Sequence, residues 1–202
     1  MSYSYLALGD SYTIGELVPL FESFPYQTIQ ILREKFSVSN HFYAPEIIAK
    51  TGWTTDELDD AITKTVLLPK YDVVSLLIGV NNQYRGRSVE NYKHEFEKLL
   101  SDAIRVAGNN PQRVFVISIP DWGVTPFAEG KDCNLIAKEI DEYNEVCNQI
   151  TTAHQCKFID ITTSQREDGN KLEFLASDGL HPSGAEYAKW AQKLAKEISL
   201  TF

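Results

Sequence analysis

A three-layer α/β fold with a five-stranded parallel sheet is the prediction for this chain, and two patterns support it. Short apolar segments rich in β-branched residues recur along the sequence, and segments with apolar residues at three- and four-residue spacing lie between them. Strands that are apolar on consecutive positions are typical of a sheet covered on both faces, and strict alternation with helices predicts right-handed parallel crossovers. The 202 residues, 43% of them hydrophobic, suffice for one domain spanning residues 1–202, with no linker or internal repeat.

The strands are predicted where apolar runs are too short for a buried helix. In chain order they cover residues 3–8, 42–49, 71–78, 113–119 and 157–161. Several of these runs are apolar at consecutive positions rather than at alternate ones, so both faces of the sheet should be covered by helices.

Five helices are predicted between and after these strands. The helix over 25–36 begins at Pro25, whose fixed φ suits a first helical turn. The helix over 55–65 opens with Asp56 and Glu57, which lie near the positive end of its dipole. The clearest helix covers 88–107, with Ser88 as N-cap and an apolar stripe on one face. The remaining two are predicted over 133–153 and 183–198, the last with a buried stripe that includes Trp190.

Composition argues against several classes of protein. A net charge of −9 and an isoelectric point near 4.9 argue against a nucleic-acid partner, which requires clustered Lys and Arg. Residues 1–5 lack a basic region and an apolar segment, and no apolar run is long enough to span a bilayer, so we expect a cytoplasmic protein without an integral membrane segment. Cys133, Cys147 and Cys156 lack CxxC spacing, and we expect them to be reduced and mostly buried. Oligomeric state is left open.

A serine directly after the first predicted strand is the first candidate for chemistry. Ser11 follows Gly9 and Asp10 at a strand end, where the turning chain would present it to solvent. Asp10 and Ser11 are also the residue types that cap turns by bonding to nearby backbone N–H groups. A distant segment favours the nucleophile over the cap: Asp178 stands three residues before His181, where its carboxylate can accept from one imidazole nitrogen and leave the other facing outward.

Four short blocks stand in order along the chain: Gly9-Asp10-Ser11, Gly52, Gly79-Val80-Asn81-Asn82 and Asp178-Gly179-Leu180-His181-Pro182. Taken together, they resemble those of the GDSL, or SGNH, hydrolases, a family of esterases and lipases. Two positions depart from the family pattern: Tyr12 follows the serine where many members have Leu, and Asn82 stands where many have Asp. The resemblance implies a flavodoxin-like SGNH hydrolase fold and hydrolysis of small-molecule, acetyl or lipid carboxylic esters, with no metal and no organic cofactor.

The resemblance also implies a role for each matched residue. Ser11 would attack the ester carbonyl, His181 would take its proton and later donate it to the leaving alcohol, and Asp178 would orient His181. The oxyanion of the tetrahedral intermediate would be held by the backbone N–H groups of Ser11 and Gly52 and the side-chain amide of Asn81. Gly52 lacks a Cβ, so substrate can approach its amide, and Asn81 is a neutral donor that needs no titration.

The predicted topology puts these blocks at one edge of the sheet. Ser11, Gly52 and Asn81 follow the first, second and third strands, and Asp178 and His181 lie in the loop after the fifth. In open parallel α/β sheets, binding sites form beyond the carboxyl ends of the strands. The strands were assigned from hydrophobicity and the blocks from motifs, so their agreement supports both.

Residues that contact the substrate are harder to predict. Trp53 and Tyr84 are candidates for lining an acyl or sugar pocket, although aromatic residues in such loops also pack against the sheet. Arg85 and Arg87 either contact an anionic group of the substrate or lie solvated in their loop. The sequence does not separate these alternatives.

Three other classes of protein were compared with the esterase hypothesis. An α/β-hydrolase needs Gly-x-Ser-x-Gly, and here Thr13 stands at the last position. A metal-dependent hydrolase is disfavoured because the four histidines are scattered without ligand spacing. A non-catalytic small-molecule or carbohydrate-binding domain on the same fold is the principal alternative, and the intact set of Ser11, Asp178 and His181 argues against it.

Overall fold

The strands form one five-stranded sheet and a separate two-stranded pair. A computed structural model of the chain describes residues 1–36 and 40–202. Within these two ranges the seven strands, in chain order, are β1 (Ser2–Tyr3), β2 (Tyr5–Asp10), β3 (His41–Phe42), β4 (Glu46–Lys50), β5 (Val73–Leu77), β6 (Val114–Ile117) and β7 (Lys157–Ile159). The eight α-helices of the described residues are α1 (Ser11–Ile14), α2 (Phe24–Phe36), α3 (Thr55–Lys64), α4 (Val80–Tyr84), α5 (Val89–Val106), α6 (Cys133–Ala153), α7 (Thr162–Asp168) and α8 (Gly184–Ser199).

The large sheet is parallel throughout, with strand order β4-β2-β5-β6-β7. This is the doubly wound flavodoxin-like order, so the predicted fold class is confirmed. Strands β2, β5 and β6 are buried at every position, as expected for strands covered on both faces. Helix α2 packs against α8 on one face, and α3, α5 and α6 pack in sequence on the other.

The first predicted strand is divided in the structure. Ser4 turns its backbone N–H (2.9 Å) and its hydroxyl (3.1 Å) to the Asp72 carboxylate and so leaves the ladder. β1 before Ser4 pairs with β3, whereas β2 after it continues two residues beyond the predicted end and pairs with β4 and β5. The central strand β2 therefore ends at Asp10, directly before the candidate nucleophile Ser11.

The five long helices lie within one or two residues of their predicted bounds. Ser88 caps α5 as expected, accepting a hydrogen bond from Asn91 N at 3.2 Å. The short helices α1, α4 and α7 were not predicted, because a helix of four to seven residues carries too few apolar positions for periodicity to show. Two of them, α1 and α4, carry residues of the candidate site.

Two further sequence expectations concern cysteines and membranes. All three cysteines are free, Cys147 and Cys156 are buried, and Cys133 is exposed on the surface. Across residues 1–36 and 40–202, no helix combines the length and apolar character needed to cross a bilayer.

Candidate active site

Ser11 begins helix α1 immediately after β2. Asp10 is the N-cap of this helix, and its Oδ1 accepts from Tyr12 N at 3.0 Å. Gly9 permits the abrupt change from strand to helix: a Cβ there would lie 2.1 Å from Thr13 Oγ1 and 2.4 Å from the Leu77 carbonyl oxygen. Ser11 is only 4% exposed, so the expectation that it faces bulk solvent is wrong; the tight turn directs it into a cavity.

Asp178 binds the imidazole of His181 through the ring nitrogen Nδ1. Its Oδ2 lies 2.6 Å from His181 Nδ1, and its Oδ1 accepts from the backbone N–H groups of Leu180 and His181, each at 3.0 Å. Partial burial would raise the pKa of the Asp178 carboxyl, but the bonds from His181 and from these backbone amides outweigh it and lower the pKa below its usual range. An ionised Asp178 favours the tautomer with the proton on Nδ1, which leaves Nε2 able to accept a proton.

The segment that carries this pair is braced as a small hairpin. Leu175 and Pro182 form an antiparallel bridge, and Ala176 N donates to the His181 carbonyl at 2.7 Å. Helix α8 begins at Gly184, one residue after its predicted start, and follows the hairpin directly. The backbone bonds across the hairpin fix the position of His181.

Gly52 lies at the tip of the turn that follows β4. Trp53 N donates to the Lys50 carbonyl at 3.2 Å, and Gly52 has φ +82°. Positive φ at the third position, without positive φ at Thr51, defines a type II turn, and glycine adopts this conformation without strain. The N–H and C=O of Gly52 belong to different peptide planes. The carbonyl can therefore accept a hydrogen bond from the protein while the N–H stays available to a bound substrate.

Asn81 lies in the first turn of α4 and reaches towards the other blocks. Its Nδ2 donates to the Trp53 carbonyl at 3.0 Å and to Asp10 Oδ2 at 3.3 Å. Burial raises the pKa of the Asp10 carboxyl to about 7, and the hydrogen bonds from Tyr12 and Asn81 offset only part of that effect. The sequence indicates only a capping role for Asp10, because the neighbouring residues give no sign of its contact with Asn81, 71 positions away.

One cavity of about 180 Å³ brings five of the seven predicted site residues together. It is lined by Ser11, Tyr12, Thr51, Gly52, Val80, Asn81, Tyr84, Trp122, Phe127, Leu180 and His181. Asp178 stands behind His181 and does not line the cavity. Tyr84 lines it, whereas the Trp53 ring is half-buried against the hydrophobic core and only its carbonyl touches a site residue. Val80 and Leu180 were overlooked, although both stand inside the blocks beside polar site residues.

Three aromatic rings form one wall of this cavity. Tyr84 and Trp122 meet edge-on with ring centroids 5.3 Å apart, and Phe127 lies 6.1 Å from Trp122. Trp122 is fixed by its indole N–H, which donates to Gln83 Oε1 at 2.7 Å. Phe127 N donates to the Gly179 carbonyl at 3.1 Å, so this wall is tied to the segment that carries His181. Tyr84, at 53% exposed, forms the outer rim.

The two arginines after Asn81 are both engaged with protein groups. Arg85 donates to the Gly52 carbonyl at 2.6 Å and lies 3.3 Å from the Glu57 carboxylate. Arg87 forms a two-pronged ion pair with Asp56, at 2.6 and 3.3 Å. Neither arginine lines the cavity, so neither is placed to contact a substrate there. Neither is simply solvated in its loop, because both are partly exposed and both have protein partners.

The assembled groups suit acyl transfer. A serine hydroxyl, an imidazole with a carboxylate partner, and backbone and side-chain amides meet in a mostly apolar cavity. Within the described parts of the chain, no group of three or more His, Cys, Asp or Glu side chains is arranged to hold a metal ion.

The sequence profile of the GDSL-like lipase/acylhydrolase family matches residues 7–189. The chain belongs to this family. A GDSL-like hydrolase is an enzyme of the esterase and lipase class, so the predicted reaction class, ester hydrolysis, is confirmed in general terms. Family membership also favours an enzyme over the non-catalytic binding domain considered above.

Individual relatives extend over almost the full chain. The spore germination lipase LipC of Bacillus licheniformis is 26% identical over 213 residues, covering 96% of this chain and 95% of that protein. A lipase/acylhydrolase from Enterococcus faecalis has a similar fold, with a TM-score of 0.76 at 21% identity over 98% of this chain and 96% of that one. Axe2, an acetylxylan esterase from Geobacillus stearothermophilus, has a TM-score of 0.71 at 19% identity, covering 97% and 94%.

Proposed function

We propose that this GDSL-like hydrolase cleaves small carboxylic esters through a covalent acyl-serine intermediate, with Ser11, His181 and Asp178 as the catalytic residues. The observation that carries the proposal is the 2.6 Å contact between Asp178 Oδ2 and His181 Nδ1, in a site where Ser11 and His181 line the same cavity. Serine at its ordinary pKa is a weak nucleophile, and an imidazole oriented in this way is the base that activates it.

The reaction proceeds in two displacement steps. Ser11 Oγ bonds to the ester carbonyl carbon as its proton passes to His181 Nε2, and collapse of the tetrahedral intermediate breaks the bond to the alcohol, which leaves with that proton. Water then attacks the acyl carbon, gives a proton to His181, and releases the carboxylic acid as the proton returns to Ser11. Asp178 remains ionised and stabilises the imidazolium formed in each step.

The negative oxygen formed in each step needs fixed donors. We assign this role to the backbone N–H groups of Ser11 and Gly52 and to the side-chain amide of Asn81. These residues follow β2, β4 and β5, respectively, and all three line the cavity. Ser11 is the first residue of α1, so its N–H is one of the amides that the helix itself leaves unbonded.

The cavity favours a small acyl or alcohol group. Its volume of about 180 Å³ is close to that of a cavity of about 150 Å³ that binds benzene. Its apolar walls come from Tyr84, Trp122, Phe127, Val80 and Leu180. Among the described residues, no Asp, Glu, Lys or Arg side chain lines it. A short-chain or aromatic ester therefore fits better than a charged one.

The decisive experiment measures the intact mass after incubation with a fluorophosphonate, together with turnover of p-nitrophenyl acetate. We expect one adduct on the wild type and none on Ser11→Ala, with ester turnover reduced in the variant by about 10³-fold or more. Removal of one buried hydroxyl should leave the fold intact, which circular dichroism checks.

Either of two results would contradict the proposal. A wild type that forms no adduct and turns over no ester lacks an activated serine, and an adduct retained on Ser11→Ala places the nucleophile elsewhere. His181→Ala provides the matched control, because it keeps the nucleophile and removes only its activation, so labelling should slow markedly.

A further inference from the structure

Arg85 reaches back from the residue after α4 to the turn that carries Gly52. Its Nη2 donates to the Gly52 carbonyl at 2.6 Å, a short bond from a charged donor to a neutral acceptor. Its Nη1 lies 3.3 Å from Glu57 Oε2 on α3. One guanidinium thus connects α4, the turn and the start of α3, and it does so without lining the cavity.

The same short helix contacts the turn at a second point. Asn81 Nδ2 donates to the carbonyl of Trp53, the residue that follows Gly52. Asn81 and Arg85 are four residues apart, joined by the helical bond from Arg85 N to the Asn81 carbonyl at 3.0 Å, so both side chains project from one side of α4. Two consecutive carbonyls of the turn are therefore bound to α4.

These two contacts differ in how they respond to catalysis. When Asn81 donates to an oxyanion, its amide must share or give up the bond to Trp53 or the longer bond to Asp10. If Asn81 gives up the bond to Trp53, the bond from Arg85 to the Gly52 carbonyl still connects this part of the chain to the turn, because the guanidinium does not line the cavity.

Glu57 fixes the orientation of the guanidinium. Its Oε2 also accepts from the backbone N–H of Thr54 at 2.9 Å, in the capping box of α3. The carboxylate is therefore held by its own helix before Arg85 binds it. A flexible side chain that is 44% exposed gains a defined position from this partner.

We propose that Arg85 is a positioning residue that sets the distance between the Gly52 amide and the Asn81 amide, and so completes the oxyanion hole. This inference rests on the proposed function, because it assumes that both amides stabilise the oxyanion. The proposed role differs from both alternatives raised for Arg85 from the sequence, because the guanidinium binds the enzyme's own backbone rather than an anionic substrate or solvent alone.

The test compares Arg85→Ala with Arg87→Ala, which is the matched control. Arg87 lies in the loop after α4 and also forms an ion pair with α3, but it contacts Asp56 rather than a turn carbonyl. We expect Arg85→Ala to lower kcat for p-nitrophenyl acetate about 10-fold, less than the ~10²–10³ lost with a whole oxyanion donor. KM should change less than twofold, and Arg87→Ala should keep kcat within twofold of the wild type.

Two further measurements separate positioning from stability. Arg85→Lys keeps one donor for the Gly52 carbonyl but cannot bind Glu57 in the same geometry, so its kcat should lie between those of Arg85→Ala and the wild type. The melting temperature should fall at least as much in Arg87→Ala, which loses its ion pairs with Asp56 and Glu95, as in Arg85→Ala, which loses one ion pair and one hydrogen bond.

Several outcomes would overturn the inference. Equal kcat in Arg85→Ala and Arg87→Ala would make Arg85 a surface ion-pair residue, and a raised KM with unchanged kcat would make it a substrate contact. A loss of kcat that matches the loss of folded protein would make it structural. A wild type that neither labels with fluorophosphonate nor hydrolyses ester would instead refute the proposed function, which distinguishes the two failures.

Discussion

A single carboxylate sets the chemical state of the candidate base. Asp178 holds His181 through its side chain at 2.6 Å and through the backbone N–H of the same residue at 3.0 Å, so the position and the tautomer of the imidazole have one common cause. Spacing along the sequence reveals such a pair because the partners are three residues apart. It does not reveal Asp10, whose contact with Asn81 forms only on folding.

Asp178→Asn is expected to lower kcat by about 10³–10⁴-fold with KM little changed. An asparagine Oδ1 still accepts from the Leu180 and His181 amides, but its Nδ2 donates to His181 Nδ1 and shifts the imidazole proton to Nε2, where it blocks proton transfer from Ser11. Steady-state kinetics with p-nitrophenyl acetate provides the measurement. A loss of less than tenfold would show that Asp178 does not set the tautomer.

At the scale of elements, the buried residue Asn82 joins α4 to the first turn of α3. Its Oδ1 accepts from Thr55 N at 3.1 Å, and its Nδ2 donates to Thr55 Oγ1 at 2.6 Å. The Thr55 hydroxyl in turn donates its proton to the Glu95 carboxylate on α5. Because that proton is already committed, position 82 must supply a donor. Asn meets this requirement at position 82, and an ionised Asp would not.

Asn82→Asp should lower the free energy of unfolding by about 1–3 kcal/mol, because a buried carboxylate would face the acceptor oxygen of Thr55. Adding Glu95→Gln should restore part of that loss, since a glutamine amide can donate to Thr55 and free its hydroxyl to donate to the new carboxylate. Urea unfolding of both single variants and the double variant gives the coupling energy. A double variant whose loss equals the sum of the two singles would contradict this account.

For the whole molecule, the strand order converts separate sequence blocks into one site. β2 lies between β4 and β5, so Ser11, Gly52 and the start of α4 emerge side by side at the carboxyl edge of the sheet. This is the point where the chain reverses its direction of winding across the sheet, the usual place for a binding crevice in such folds. The prediction that all blocks share one edge agrees with this arrangement.

Carboxyl groups affect the stability of the whole molecule in two separate pH ranges. The hydrogen bond with Arg87 lowers the pKa of Asp56 to about 2, and the backbone bond from Thr54 lowers that of Glu57. These groups favour folding above pH ~4 and lose their contribution as pH falls below it. Burial raises the pKa of Asp10 to about 7. The folded protein therefore holds this proton more tightly than the unfolded chain, and stability falls as pH rises from about 4 to about 7.

Asp10→Asn should remove the decline in the free energy of unfolding between pH ~4 and pH ~7, which we expect to be roughly 1–4 kcal/mol in the wild type. The loss of stability below pH ~4 should be unchanged, because it comes from other carboxyl groups whose pKa is lowered, among them Asp56, Glu57 and Asp178. Urea unfolding across pH 3–9, at low protein concentration near the isoelectric point of about 4.9, measures both curves. Parallel curves for the two proteins would show that Asp10 is not protonated in this range.

The sequence by itself determined the features that depend on neighbours along the chain. Apolar periodicity predicted the long helices and the strands, charge argued against a nucleic-acid partner, and short blocks located Ser11 and the Asp178 and His181 pair. Only the tertiary structure decided the strand order, the walls of the cavity, the choice of Asn82 and the partner of Arg85. These depend on contacts between residues tens of positions apart, and such contacts leave no periodic signal in a single sequence because the sheet creates them only when it assembles.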